Sequence, residues 1–359
     1  MPYTLTLPNM LKRQIDILAI GDITTDAFIR LEKADVHCKV NTSDCEICMP
    51  FGDKIPFEYV KVVKAVGNAA NAAVSGARLG LRAALLANMG DDQNGKDCLV
   101  ELQKNKVITS FIKVHKHKPT NYHFVLWYDV DRTILVKHTD YDYRLPDVFD
   151  KHTNAGKYLP SGLPPKWIYL TSLAANTFPY HMMIADYLEA NPSVKLAFQP
   201  GTFQMKLGFE ELKRIYAKTD LFVVNVEEAQ RMLKIDPAGP DARDIKAMMK
   251  KIAAYGPKMV AITDNTNGAY FYDGERYYSI PMYPDPRPAF ERTGCGDAWA
   301  STFVSALAMG KAPLEALVWA PVNPMSVAQF IGAQEGLLTL EQLEWWLHRA
   351  PEEYKPKEI

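Results

Sequence analysis

Short apolar runs, many of them β-branched, recur along the chain and alternate with stretches of helical spacing. The runs lie at 15–20 (IDILAI), 83–87, 167–170, 194–198, 221–224 and 259–262. An uninterrupted apolar run of this length is what a strand buried on both faces looks like. Helical patterns occupy 68–79, 179–190, 226–233 and 241–255. Strand and helix in alternation predict an α/β fold whose mostly parallel central sheet is covered by helices on both faces. In such sheets ligands bind beyond the carboxyl ends of the strands, where loops enter helix N-termini.

Two segments, 31–63 and 109–139, break the alternation with β-like stretches, notably YHFVLWYDVDRTILVKH. Positions 129–132 read as a hairpin turn between two strands. The two segments predict a small discontinuous β-sheet lid over the carboxyl edge of the main sheet, within a single domain spanning 1–359. The lid carries Phe28, Phe111, His123, Phe124, Trp127 and Tyr128. Strand alternation puts His123, Val125 and Trp127 on one face. That aromatic face suits either lid packing or stacking on a nucleobase.

The chain has 359 residues, 48% hydrophobic and 23% charged, with a formal net charge of −1. This is ample for a packed core and excludes disorder as the dominant state. No basic excess serves a nucleic-acid backbone, and no window holds the roughly 18 apolar residues of a membrane span. The N-terminal stretch lacks the order of a signal peptide. A cytoplasmic protein without nucleic-acid or membrane partners is the expectation. Five cysteines, at 38, 45, 48, 98 and 295, do not make a disulfide framework. Cys38, Cys45 and Cys48 with His37 are a thin metal set, so reduced thiols are expected there.

The most informative stretch is Glu291-Arg-Thr-Gly-Cys-Gly-Asp297, followed by AWASTFVSALAMGK. Small helix formers run from Asp297 to Met309, and Gly310 with Pro313 supplies the stop. Thr293–Gly296 is therefore a glycine-bearing turn that feeds a helix N-terminus, an anion site by virtue of free N–H groups and the helix dipole. Asp297 at its mouth is either a helix cap or a base that takes a hydroxyl proton during phosphoryl transfer. The dinucleotide pattern GxGxxG fails at Trp299, and no GxxxxGK[ST] loop occurs.

These residues resemble the second signature, usually DTxGAGD, of the ribokinase or phosphofructokinase-B (PfkB) family of sugar and nucleoside kinases. The first signature, GGxxANxAxxLARLG…GxDxxG, has its counterpart in Gly67-Asn-Ala-Ala-Asn-Ala-Ala-Val-Ser-Gly-Ala-Arg-Leu-Gly80 and in Ala-Asn-Met-Gly-Asp-Asp-Gln-Asn-Gly95. Gly21-Asp-Ile-Thr-Thr-Asp26, Asn225-Val-Glu-Glu228, Thr263-Asp264 with Gly268, and Asn323 follow in the family's order, so the likeness runs from about 15 to 340. It implies a ribokinase-like three-layer αβα fold and ATP-dependent phosphorylation of a hydroxyl. It further implies Asp297 as catalytic base, with Gly294, Cys295 and Gly296 as the anion hole for the γ-phosphoryl. Asp26, Gly67, Asn68 and Asn71 match acceptor-binding positions. Asn225, Thr263, Gly268 and Asn323 match the nucleotide pocket, and Glu228 the position that organises magnesium. Potassium is the further ion that the resemblance raises.

Three departures stand out: Val66 for the first glycine of a usual pair, Glu291-Arg292 for Asp-Thr, and Asn265 after Thr-Asp. Arg132, Lys137 and Arg292 offer cations to a sugar phosphate or sugar acid. The leading expectation is a kinase of a small ribose- or fructose-like sugar, and the alternative is a nucleoside kinase. A catalytically silent binding protein on the same scaffold is disfavoured by the intact Gly294–Asp297 segment. Exposed lid strands also raise the prospect of a homodimer formed through the lid.

Overall fold

Ile17–Ile20 is the hub of the molecule, because all of its side chains are buried and it pairs in parallel on both edges. The computed structural model describes residues 14–38, 45–129, 131–146 and 163–359. Among these, a nine-stranded sheet runs in the order Lys357–Glu358, Tyr277–Ile280, Ala269–Tyr272, Met259–Thr263, Thr219–Asn225, Lys195–Phe198, Trp167–Leu170, Ile17–Ile20 and Ala83–Leu86. The strands from Met259–Thr263 to Ala83–Leu86 are parallel; the three at the other edge are antiparallel. That antiparallel extension has no signal as strong as the apolar runs, since its residues alternate in burial.

Alternation along the parallel strands divides the core in two. Ile17, Ala19, Leu85, Tyr169, Ala197, Val223 and Ala261 meet Asn68–Arg78 and Cys295–Ala308 on one face. Leu18, Ile20, Leu86, Leu170, Phe198, Val224 and Ile262 meet Phe178–Ala190 and Ile245–Ala253 on the other. This is the expected three-layer αβα arrangement. The first face is built from small residues: Ala69, Ala70, Ala72 and Ala73 on one helix, Ala298, Ala300 and Ser301 on the other, all essentially buried. Small side chains let the two helices pack closely and bring both N-termini to one place at the carboxyl edge of the sheet.

The lid is a four-stranded sheet in the order Asp131–Leu135, Asn121–Tyr128, Thr24–Leu31, Phe57–Val66. It starts earlier than expected, at Thr24, so Asp26 belongs to the lid. Val66, which replaces the usual glycine, ends the last lid strand opposite Thr24. The hairpin pairs Tyr128 with Asp131, and residue 130 of its turn lies outside the described residues, as do 39–44 of the first lid segment. Cys38 and Cys45 correct the expectation of reduced thiols: they face one another across a short hairpin of Asp35–Cys38 and Cys45–Cys48 and are joined as a disulfide. Adjacent pairing across antiparallel strands was invisible without the register. Cys48 remains a free thiol.

Candidate active site

Thr293, Gly294 and Cys295 turn the chain into the Cys295–Ala308 helix. Gly294 is the N-cap, with φ of 84°, and a Cβ there would lie 2.2 Å from Ala333 Cβ. Both the left-handed backbone and the close approach exclude any larger residue. Buried Glu291 holds the turn, accepting from Thr293 N–H at 2.6 Å and Gly332 N–H at 3.1 Å. Ala298 N–H is the first to close on Gly294 O, at 2.8 Å, so the N–H groups of Gly296 and Asp297 emerge from the first turn toward a cavity of about 910 Å³. The Cys295 thiol turns back toward Pro324 O, and burial pushes its pKa up to about 12. It contributes backbone, not sulfur chemistry.

Asp297 lies in that first turn, only 8% exposed but lining the cavity. Its Oδ1 accepts from Asn68 Nδ2 at 2.9 Å and Gln199 Nε2 at 3.2 Å, and its Oδ2 from Asn71 Nδ2 at 2.8 Å. Burial raises its pKa above the ordinary carboxylate range; these amides and the Arg132 guanidinium pull the other way without cancelling the burial. Two of the donors come from the small-residue helix, which enters through Gly67 at φ of 103° with no room for a Cβ beside Asp22 O, 2.7 Å away. The donors are fixed in turn: Asn71 Oδ1 accepts from Gln334 at 3.0 Å, and Gln199 Oε1 from the Tyr169 hydroxyl. The result is a desolvated carboxylate whose orientation is set by neutral donors, suited to accepting a proton.

The cavity has two ends. One is lined by Asn225, Glu228, Thr263, Asn265, Gly268, Met282 and Tyr283. Asn225 caps the Val226–Leu233 helix by accepting from Glu228 N–H at 2.8 Å, while Glu228 Oε2 accepts from Asn225 N–H at 2.9 Å. This capping box positions the Glu228 carboxyl at the cavity wall, and burial raises its pKa. Among the described residues no group of three His, Cys, Asp or Glu side chains could by itself hold a metal. One carboxylate with room for waters and phosphate oxygens suits magnesium, which keeps several waters. Asn265 adopts φ of 47°, which asparagine tolerates, so the loop accommodates that departure.

At the other end, the lid supplies Asp26, Phe28, His123, Arg132, Ile134, Val136 and His138, facing Thr202, Phe203 and Lys206. Arg132 and Arg292 line this same cavity; Lys137 does not. His123, Val125 and Trp127 share one buried face of the lid, but of these only His123 lines the cavity. Trp127 is locked inside the lid, 4.4 Å below the Arg30 guanidinium and edge-on to Tyr59 and Phe290. Phe111 is not in the lid at all; it sits in the core on the far face of the main sheet. Phe124 points to the lid's outer side.

The structure therefore brings Asp26, Gly67, Asn68, Asn71, Asn225, Glu228, Thr263, Gly268, Gly294, Cys295, Gly296 and Asp297 around one cavity. Asn323 is the exception. It is fully buried, donates to Thr302 Oγ1 at 2.8 Å and accepts from Leu338 N–H at 2.8 Å, and so braces the helix behind the site instead of facing a nucleotide. Its amide is spent. Gln199, Tyr169, His138 and Phe203 were not singled out in the sequence. The only signal for Gln199 was its place, directly after a buried strand whose carboxyl end opens on the site.

Comparison with known proteins agrees with this geometry. The profile of the pfkB family carbohydrate kinase matches residues 61–328. The chain is 24% identical to the 5-dehydro-2-deoxygluconokinase of Geobacillus kaustophilus, covering 96% of both chains. It superposes on Arabidopsis thaliana ribokinase complexed with ribose and ATP at a TM-score of 0.74, 17% identity, 93% of this chain and 99% of that one. The nucleoside kinase of Methanocaldococcus jannaschii gives 0.70 at 17% identity, covering 93% and 98%. No helix among the described residues is long and apolar enough to cross a membrane.

Proposed function

Because the chain belongs to the pfkB family of carbohydrate kinases, we propose that it transfers the γ-phosphoryl group of ATP to a hydroxyl of a small free sugar, ribose- or fructose-like, with Asp297 as base. The observation that carries this reading is the Asp297 carboxylate, desolvated and held by Asn68, Asn71 and Gln199 beside the N–H groups of the Gly294–Gly296 turn. The acceptor hydroxyl lies against Asp297, with Asp26 and Asn71 taking neighbouring hydroxyls. As its oxygen bonds to the phosphorus and the bond to the nucleotide's bridging oxygen breaks, its proton passes to the carboxylate. The helix N-terminus and Arg132 stabilise the charge on the phosphoryl oxygens. Asn225, Thr263 and Gly268 line the nucleotide end. Glu228 would help hold magnesium, which when bound would supply further charge neutralisation.

A nucleoside acceptor is the second reading, favoured by the apolar rim of Phe28, Ile134, Val136 and Phe203 above the acceptor end. A coupled ADP-release assay with ribose, fructose and adenosine side by side separates the two, and phosphorylation of none of them removes both. Repeating it with and without potassium tests whether the loops joined by Glu291 take a monovalent cation. The outer face of the lid is assigned to a second copy of the chain. Val60, Val62, Phe124 and Leu135 share that face, each 45–51% exposed. An apolar sheet face of this kind usually finds a partner. Light scattering should show a dimer that Val62→Lys with Phe124→Lys dissociates; a monomeric unmodified protein removes the assignment.

A further inference from the structure

Asp22 and His138 occupy the acceptor end and have no part in the chemistry assigned so far. Asp22 follows the hub strand and is 7% exposed. Its Oδ1 accepts the Tyr143 hydroxyl at 2.6 Å, which fixes the carboxylate, while its buried Oδ2 has no hydrogen-bond partner. His138, just beyond the last lid strand, places Nδ1 3.3 Å from that Oδ2 without forming a hydrogen bond, and this nitrogen too is buried and unpartnered. Both residues line the cavity. Two polar atoms shielded from water and joined only by this unaligned contact, an ion pair when the ring is protonated, leave hydrogen-bonding capacity that a ligand can complete.

Resting on the kinase reading, we propose that Asp22, positioned by Tyr143, and His138 determine acceptor specificity by binding a second hydroxyl of a neutral sugar. A hydroxyl is a donor and an acceptor at one atom. It can give its proton to Asp22 Oδ2 and receive one from a His138 Nδ1–H, satisfying both orphans together. A phosphate or carboxylate brings no proton for Asp22 and adds charge beside Asp22 and Asp26. The pair adjoins the proposed base, because the Asp22 carbonyl leaves no room for a Cβ at Gly67 and the next residue, Asn68, holds Asp297. The lid repeats the arrangement one step away: Asp26 Oδ1 is unpartnered and lies 3.4 Å from His123 Nδ1, and the His123 and His138 rings are 5.6 Å apart. The lid and the main sheet thus each contribute a carboxylate to one polar floor.

The test crosses variants with substrates. The full-length protein, Asp22→Asn, His138→Leu and Tyr143→Phe are assayed by ADP release with ribose, fructose, adenosine, the single-deoxy analogues of whichever is phosphorylated, and ribose 5-phosphate and gluconate. For Asp22→Asn and His138→Leu the acceptor KM should rise at least about tenfold while the ATP KM stays within about twofold. For one deoxy analogue, the penalty seen with the unmodified protein should shrink to about twofold in both variants, since the bridging hydroxyl is already lost. Tyr143→Phe, which removes one oxygen without changing shape, should show the same pattern more weakly and guards against a folding artefact. An acceptor KM unchanged in all three variants, or a full deoxy penalty surviving in them, overturns the inference while leaving the kinase reading intact; preferred use of ribose 5-phosphate or gluconate overturns the inference and the free-sugar acceptor with it, but not phosphoryl transfer. No acceptor phosphorylated by the unmodified protein overturns both.

Discussion

Two parts of the cavity are built by different means. At the turn proposed to hold the phosphoryl group, a contiguous stretch from Glu291 to Asp297 supplies the turn, the N–H groups and the carboxylate, and the Gly294 conformation fixes their geometry. At the acceptor end, Asp22, Asp26, His123, His138 and Phe203 come from separate segments that meet only because the lid folds across the sheet edge. A site made of consecutive backbone tolerates little change in sequence. A site made of converging side chains can change its chemistry one residue at a time without disturbing the scaffold.

The sharpest way to break this contrast is at Asp297. Asp297→Asn keeps the shape and should lower turnover about 10²–10⁴-fold, the usual worth of a general base, while ATP affinity measured by titration changes little. Near-normal turnover would remove the base. The raised pKa has two opposite consequences with pH. The folded protein holds this proton more tightly than the unfolded chain, whose carboxylate titrates near an ordinary pKa of about 3.9. Activity should therefore fall on acidification at a higher pH than an ordinary carboxylate would give, because the base is protonated. Over the same window this group's contribution to stability falls as pH rises, since the buried charge appears only in its upper part. Profiles of kcat/KM and of Tm for the unmodified protein and Asp297→Asn, compared across pH, check both signs.

Gly294→Ala attacks the backbone-built part through the conformation of the turn itself. A Cβ at φ of 84° and 2.2 Å from Ala333 Cβ should cost about 2–4 kcal/mol and depress kcat together with Tm. Asn323→Ala should cost about 1–3 kcal/mol by leaving Leu338 N–H and Thr302 unpaired, yet leave the ATP KM within about twofold. A large rise in that KM would return Asn323 to the nucleotide pocket. The smallest effect is expected for Tyr169→Phe. Loss of its hydrogen bond frees Gln199 to turn from Asp297 and should lower kcat by no more than about tenfold with KM values preserved.

Most of the central sheet was legible because each parallel strand is buried on both faces and so appears as an unbroken apolar run. The strand at Trp167–Leu170 and the helix at Val226–Leu233 fall at the expected residues. The antiparallel strands Ala269–Tyr272 and Tyr277–Ile280 did not stand out, since half of their positions are only partly buried. The turn at 293–297 could be read because its chemistry is local: glycine conformation, free N–H groups and a first-turn carboxylate are properties of neighbouring residues. Asn323 was misplaced because motif order says which helix a residue joins, but not which way its side chain faces. What the chain determined by itself was the layered α/β scaffold and the glycine turn that opens the Cys295–Ala308 helix, both products of short-range periodicity and backbone preference. The Cys38–Cys45 pairing, the Gln199 support for Asp297 and the meeting of Asp22 with His138 were decided only by tertiary structure, because each depends on strand register or on contact between segments far apart along the chain.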